Sequence, residues 1–262
     1  MKFCRFLPPG PSASQTVSPL YGLLEGDQVR DISSPPWGPW THGSHTWLVS
    51  DVRLLAPIDP GKIVCVGRNY VAHAAEFGNE VPKEPLIFLK PPSAVIGPGE
   101  PIVLTPQSQR VEHEGELAMV VGRRCSRLKD SDDALAYLLG YSCLNDVTAR
   151  DLQKSDVQFT RAKGFDTFCP TGPHIETQLD PSDVLVETHV NGALRQSGRT
   201  SLMVYPPAFL VRWISRVMTL NPGDVIATGT PAGVGPLVAG DIVDVSVSGV
   251  GVLRNPVQAP RT

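Results

Sequence analysis

Val111-Glu112-His113-Glu114-Gly115-Glu116-Leu117-Ala118-Met119-Val120-Val121-Gly122 reads as a strand that carries acids at its mouth and then runs into the protein interior. Side chains alternate faces along a strand, so Glu114 and Glu116 point the same way. No polar residue interrupts either face from Leu117 to Val121. Two like charges at the entrance of a buried strand are costly unless a cation neutralises them. An isolated Glu-x-Glu is more often a solvated strand end, so the reading depends on what the rest of the chain supplies.

The 262 residues suit one large unit, or one large unit with a small one beside it. A net charge of −3 excludes a broad basic field for nucleic acid or an anionic membrane. No apolar run approaches the ~20 residues that span a bilayer. The opening MKFCRFLPPG lacks the long apolar stretch of a secretory signal. Cys4, Cys65, Cys125, Cys143 and Cys169 are odd in number and form no C-x-x-C, so we expect reduced thiols in a cytoplasmic protein. The 24 glycines and 26 prolines are spread through ordered-looking sequence and imply a turn-rich, mainly β protein.

Residues 1–57 read as a small N-terminal unit with a hairpin about Glu25-Gly26-Asp27; residues 33–46, rich in Pro, Gly and Trp, read as an irregular loop. The second unit, 58–262, opens with the buried strand Ile63–Gly67 and then one or two helical turns over residues 71–78. His73 and Glu76 are i and i+3 there and share a face, which is the base–orienter half of a catalytic dyad. Gly78 to Pro85 reads as a lid loop. Further strands are expected at Leu86–Lys90, at Gly140–Val147 with Asp146 at its end, and at Val184–Val190 before the hairpin turn Asn191-Gly192. Asp132–Leu139 has helical spacing, and Cys169–Pro173 reads as a loop. A helix starts at Pro206-Pro207 and is expected to bury Leu210, Trp213, Ile214, Val217 and Leu220, which follow the 3.6 period, before Asn221-Pro222-Gly223-Asp224 stops it. The loop Gly229–Gly235 is glycine-rich but lacks the Lys-Ser/Thr pair of a P-loop, which argues against nucleotide binding.

Three acids matter together: Glu114 and Glu116 on one strand and Asp146 at the end of another. An all-carboxylate site suits a hard divalent ion, Mg²⁺ or Mn²⁺ or Ca²⁺, rather than zinc or copper. It would leave about three octahedral positions open, enough for a bidentate 2-oxo acid and a water. Glu112 shares their face and competes as a ligand.

From about Leu54 to Leu253 the chain resembles the fumarylacetoacetate hydrolase family. The matching blocks include KIVCVGRNYVAHAAE, PLIFLKPPSAVIGPGEPI, HEGELAMVVGR, GYSCLNDVTARDLQ, KGFDTFCPTGP and LNPGDVIATGTPAGVG. The resemblance implies a mainly β, mixed β-sandwich roll with a small N-terminal α/β domain, assembled as a homodimer. It places the metal ligands on Glu114, Glu116 and Asp146, and the His–Glu dyad on His73 and Glu76. Arg68, Gln153, Lys163 and Thr230 fall on substrate-side positions, with Lys163 a catalytic charge stabiliser. It implies a divalent-metal-dependent hydrolase that cleaves a carbon–carbon bond in a 2,4-dioxo acid of the acylpyruvate or fumarylpyruvate type by way of an enolate. A 2-hydroxyhepta-2,4-diene-1,7-dioate isomerase or an oxaloacetate decarboxylase on the same scaffold are the alternatives. Two other classes compete: a Schiff-base aldolase using Lys163, and a binding protein that lost catalysis. Thr171 departs from the family pattern, in which Leu is usual.

Overall fold

The computed structural model describes residues 1–10 and 18–260. Its backbone is a twelve-stranded mixed sheet whose main path is ten strands long. In spatial order these are His42–Leu48, Gln28–Ile32, Leu20–Glu25, Lys2–Leu7, Cys169–Glu176, Leu138–Asn145, Gly115–Val121, Val225–Ala227, Ile63–Gly67 and Leu86–Lys90. Arg53–Leu55 and Val95–Ile96 pair at the side of this path. A five-stranded sheet, from Ala193–Arg199 through Leu185–Val190, Ile242–Val247 and Gly251–Gln258 to Ile102–Val103, packs against it. The described residues of 1–57 supply five strands and one 3₁₀ turn, so helix expected there is not seen among them. Through Lys2–Leu7 and its pairing with Cys169–Glu176 they continue the large sheet.

Gly115–Val121 lies in the middle of that sheet and explains its own composition. Leu117, Met119 and Val121 face a core built with Val186, Val243 and Val245 of the five-stranded sheet and with Leu210 and Ile214. Ala118 and Val120 face a second core with Ile63, Val225, Ala227 and Ile175. A strand covered on both faces has no use for alternation, and its sequence is accordingly an unbroken apolar run. The helix α4, Pro207–Val217, buries Leu210, Val211 and Ile214 as its period requires, whereas Val217 is exposed. The short helices α1 (Val71–Glu76), α2 (Arg150–Ser155) and α3 (Thr160–Gly164) sit beside the sheet end where the acids lie.

Four local expectations need correction. The acidic stretch is two strands rather than one: Val111–His113 belongs to a three-stranded sheet with Thr148–Ala149 and Gly235–Pro236, and the chain changes sheets at Glu114. Asp132–Leu139 yields only the 3₁₀ turn Leu135–Tyr137, because Leu138–Asn145 is claimed by pairing with Gly115–Val121. Helical spacing over so few residues does not outweigh a long ladder. Residues 33–46 are not wholly irregular, since His42–Leu48 forms the exposed edge of the large sheet. Cys169–Pro173 opens an eight-residue strand, in which Pro170 pairs with Ile96 of the short side strand and Pro173 lies at a register shift in the main ladder.

All five cysteines are free and buried. Burial pushes the Cys4, Cys143 and Cys169 thiols up to about 12. His174 is buried on Cys169–Glu176, and its Nε2 has no partner among the described residues. Burial, then Lys2, pushes its imidazole down to about 4. The unfolded chain takes up that proton from about pH 6.5 downward, so stability is lost between pH 6.5 and 4. Replacing His174 with Gln is expected to remove roughly 2 kcal/mol of the stability lost between pH 7 and 5. Urea unfolding at the two pH values measures it, and an unchanged pH dependence would refute the assignment.

Candidate active site

The register of two strands brings the acids together. Gly115 pairs with Asn145 and Glu116 with Leu144. At the open end of this ladder the Asp146 N–H donates to the Glu114 carbonyl at 2.8 Å, and the Glu114 N–H donates to Asn145 Oδ1 at 2.9 Å. Residues 32 apart in sequence are therefore held side by side by backbone bonds. Gly115 is required at this crossing: a Cβ there would sit 2.1 Å from Thr188 Oγ1. Glu114, Glu116 and Asp146 each offer an oxygen within 4.8 Å of the others, all buried. Opposite ligands of Mg²⁺ lie about 4.2 Å apart and those of Ca²⁺ about 4.6–5.2 Å, so the spread fits a hard divalent ion.

The charges around the cluster are unequal. Lys163 Nζ donates to Glu114 Oε2 and to Asp146 Oδ2, both at 2.7 Å. Lys90 Nζ donates to Asp146 Oδ1 at 2.6 Å, and Arg150 to Glu114 Oε1 at 2.5 Å. Burial alone would raise Glu114, but Lys163 and Arg150 outweigh it and hold the carboxyl well below the usual range. Burial alone would lower Lys163, yet Asp146 and Glu114 raise it. Glu116 has no cationic partner among the described residues; Oε2 accepts only the Gly229 N–H, at 2.7 Å. Burial, then Asp146 and Glu114, pushes Glu116 well above the usual range. A buried carboxylate left short of positive charge is what a bound cation would satisfy. Gly229 reaches it through a left-handed backbone (φ +100°), and a Cβ there would meet Asn69 Cβ at 2.7 Å.

A cavity of about 550 Å³ opens over this cluster, and all nine residues singled out from the sequence line it. His73 is buried on α1, and its Nδ1 lies 3.3 Å from Glu76 Oε2. Glu76 is itself held by the Gly233 N–H at 3.1 Å, so the pair docks against the Gly229–Gly235 loop. Arg68 takes a left-handed backbone (φ 57°) between strand and helix and makes no ion pair among the described residues. Gln153 accepts from Arg150 at 2.6 Å. The Thr230 hydroxyl is committed to the frame: it donates to the Gly115 carbonyl and accepts from Gln196, at 2.8 and 2.7 Å.

Reading the sequence missed three groups. Arg150 and Lys90 are buried cations that balance the acids, and Gln196 ties Thr230, His113 and the Gly115 N–H together. Lys90 ends an apolar strand and precedes two prolines, so its burial has no local signal; Arg150 stands in the block GYSCLNDVTARDLQ, four residues after Asp146, and that placement is its signal. Glu112, the competing acid, belongs neither to the cluster nor to the cavity lining and is bound by Arg110 and Arg150 at 2.6 Å each.

A mixed β fold sets a buried three-carboxylate cluster against a His–Glu pair in one cavity, the arrangement of an enzyme site. The chain belongs to the fumarylacetoacetate hydrolase family: the model of the fumarylacetoacetate (FAA) hydrolase C-terminal domain matches residues 62–258, and one described as Rv2993c-like, N-terminal, matches residues 1–57. It is 48% identical to Protein Rv2993c of Mycobacterium tuberculosis over 260 residues, 98% of either chain. It is 44% identical to the mitochondrial oxaloacetate tautomerase FAHD2A of Homo sapiens, covering 79% of this chain and 70% of that one. The crystal structure of a 5-carboxymethyl-2-hydroxymuconate delta-isomerase from Mycobacterium smegmatis superposes with a TM-score of 0.90 at 47% identity, covering 99% of this chain and all of the other.

Proposed function

We propose that this enzyme moves a proton at the carbon beside the keto group of a 2-oxo acid, as an isomerase or keto–enol tautomerase. The observation that carries the reading is one imidazole, oriented by Glu76 and facing the carboxylate cluster across a shared cavity. Glu114, Glu116 and Asp146 would hold a divalent cation, Mg²⁺ or Mn²⁺ or Ca²⁺, which when bound supplies Lewis acidity toward the keto oxygen. His73 has Nδ1 turned to Glu76, which leaves Nε2 to take the proton and return it elsewhere. Lys163, kept charged by its two carboxylates, and Gln153 stabilise negative charge as it develops. Arg68 receives a substrate carboxylate. The isomerase and tautomerase names among the relatives support the same step.

Hydrolytic cleavage of a 2,4-dioxo acid is the second reading. It needs His73 to deprotonate a water instead of carbon, and the cavity has room for both water and acyl group. NMR in D₂O separates the two. Proton transfer predicts deuterium entering C3 of oxaloacetate or rearrangement of a 2-hydroxydienedioate, without cleavage. Hydrolysis predicts pyruvate released from an acylpyruvate. His73→Ala is expected to lower the rate about 10²–10⁴-fold, and chelation to abolish it. Full activity in EDTA, or turnover untouched by His73→Ala, would refute the reading. A Schiff-base route through Lys163 requires a neutral amine, which two carboxylates at 2.7 Å oppose; borohydride with pyruvate is expected to trap nothing. We further propose a homodimer, with sedimentation equilibrium expected to give about twice 28.2 kDa.

A further inference from the structure

Arg150 touches more of the site than any neighbouring cation. Its Nε donates to Glu112 at 2.6 Å, one terminal nitrogen to Gln153 at 2.6 Å, and the other to Glu114 at 2.5 Å. Three of the five guanidinium N–H groups are thereby committed, one on each nitrogen, which fixes the plane of the group. On one face lies the ring of Phe77, with the guanidinium carbon 4.7 Å from the ring centroid. Phe77 is the residue that ends α1, and its ring meets the His73 imidazole edge-on at 5.4 Å between centroids.

The start of α1 is anchored by the buried Asn69 and by the bridge from Tyr70 to Met203, and its far end has fewer contacts to fix it. The helix is six residues long, and its N-cap residue Tyr70 makes no capping bond through its side chain. Beyond its first residue, and besides Phe77, it is held by burial of His73 and Ala74 and by the Glu76–Gly233 contact. Helices this short owe their placement to tertiary contacts.

We propose that Arg150 is a positioning residue that latches α1, and with it His73, over the carboxylate cluster by way of Phe77. The inference rests on the cation-dependent reading given above. Arg150 pairs with Glu114, one of the acids that would hold the cation. A divalent ion sharing the Glu114 charge leaves the guanidinium less neutralised, and an under-neutralised, desolvated cation attracts a ring face more strongly. Filling the site therefore tightens the hold on His73. Lysine cannot substitute, because it offers neither the planar fork nor a face to stack.

Phe77→Leu and Phe77→Tyr test the latch by Mn²⁺ calorimetry, amide hydrogen exchange over residues 71–78 with and without Mn²⁺, and steady-state kinetics. Phe77 is half-buried on a short surface helix, and both variants are expected to melt near wild type. In wild type, Mn²⁺ is expected to slow exchange over 71–78. Phe77→Leu is expected to bind Mn²⁺ within about threefold of wild type, to lose that protection, and to show a kcat about tenfold lower at unchanged KM. Phe77→Tyr, which keeps the ring, restores both. If Mn²⁺ binds wild type without slowing exchange over 71–78, or Phe77→Leu keeps the protection and the kcat, the latch is wrong and the cation reading stands. If wild type binds no Mn²⁺, both fall together.

Discussion

Glu116→Gln is expected to abolish cation binding and nearly all turnover while leaving the metal-free protein at least as stable as wild type. The two effects diverge because Glu116 is the acid without a cationic partner. Glutamine keeps an oxygen for the Gly229 N–H and removes a carboxyl whose ionisation is opposed by burial first and then by Asp146 and Glu114. In chelator, then, the variant loses repulsion and no ion pair. With Mn²⁺ added to about 100 times its Kd, wild type gains about 2.7 kcal/mol of stability by linkage and the variant gains little. The affinity loss is expected to exceed about a hundredfold, since even supporting groups around a metal cost 10–100-fold. Turnover is expected to fall about a thousandfold, as several kcal/mol of charge stabilisation disappear. Thermal unfolding of both proteins with and without Mn²⁺ reads this directly. A variant that melts as wild type does in both buffers and still responds to Mn²⁺ would remove the three carboxylates as the cation site.

The sequence was most readable where local pattern and tertiary need coincide. Leu117–Val121 is apolar without alternation because both faces are covered, and its place inside the sheet follows from that run alone. Asn191-Gly192 has both residues at positive φ, the geometry the dipeptide favours in a tight hairpin. It was least readable where pairing comes from far away. Asp132–Leu139 carries a helical pattern that the ladder on Gly115–Val121 overrides, and the break at Glu114 exists because Val111–His113 finds partners in residues 148–149 and 235–236.

The site divides in the same way. Glu114 and Glu116 announce themselves by spacing, and His73 and Glu76 by a shared helical face, since both rules act over two to four residues. That Asp146 closes the cluster depends on register between strands about 30 residues apart, which family blocks imply and local periodicity does not. The cations were harder still. Lys90 and Lys163 lie almost wholly inside the protein, yet each looks in sequence like a residue bound for solvent. Nothing local marks a lysine as buried; the acids it answers to do so, and they come from other strands. The countercharge of a buried acidic site is therefore legible only after the register is known.

Lys163→Met tests that countercharge and is expected to be the most destabilising single change in the site. The ammonium lies 2.7 Å from both Glu114 and Asp146 and 5.0 Å from the centroid of the Phe88 ring. Methionine nearly matches its volume, so no large cavity opens and the cost is electrostatic. Removing one partner of a buried ion pair leaves an uncompensated charge and costs about 3–5 kcal/mol. Here two carboxylates are stranded, although Lys90 and Arg150 still hold one oxygen of each. Relief is available from two directions. Mn²⁺ would neutralise the stranded acids, so the cation-induced rise in stability is expected to be larger in the variant than in wild type. Adding Glu116→Gln would lower the total negative charge, so the double variant is expected to be more stable in chelator than Lys163→Met alone, a coupling between neighbours that additive single effects would miss. Turnover is lost in either case, because the charge that stabilises the developing anion is gone. Chemical denaturation of the four proteins, with and without Mn²⁺, closes the cycle. If Lys163→Met costs less than about 1 kcal/mol in chelator, the lysine is not balancing the acids. A double variant less stable than the sum of its parts would show that Glu116 is not the surplus charge.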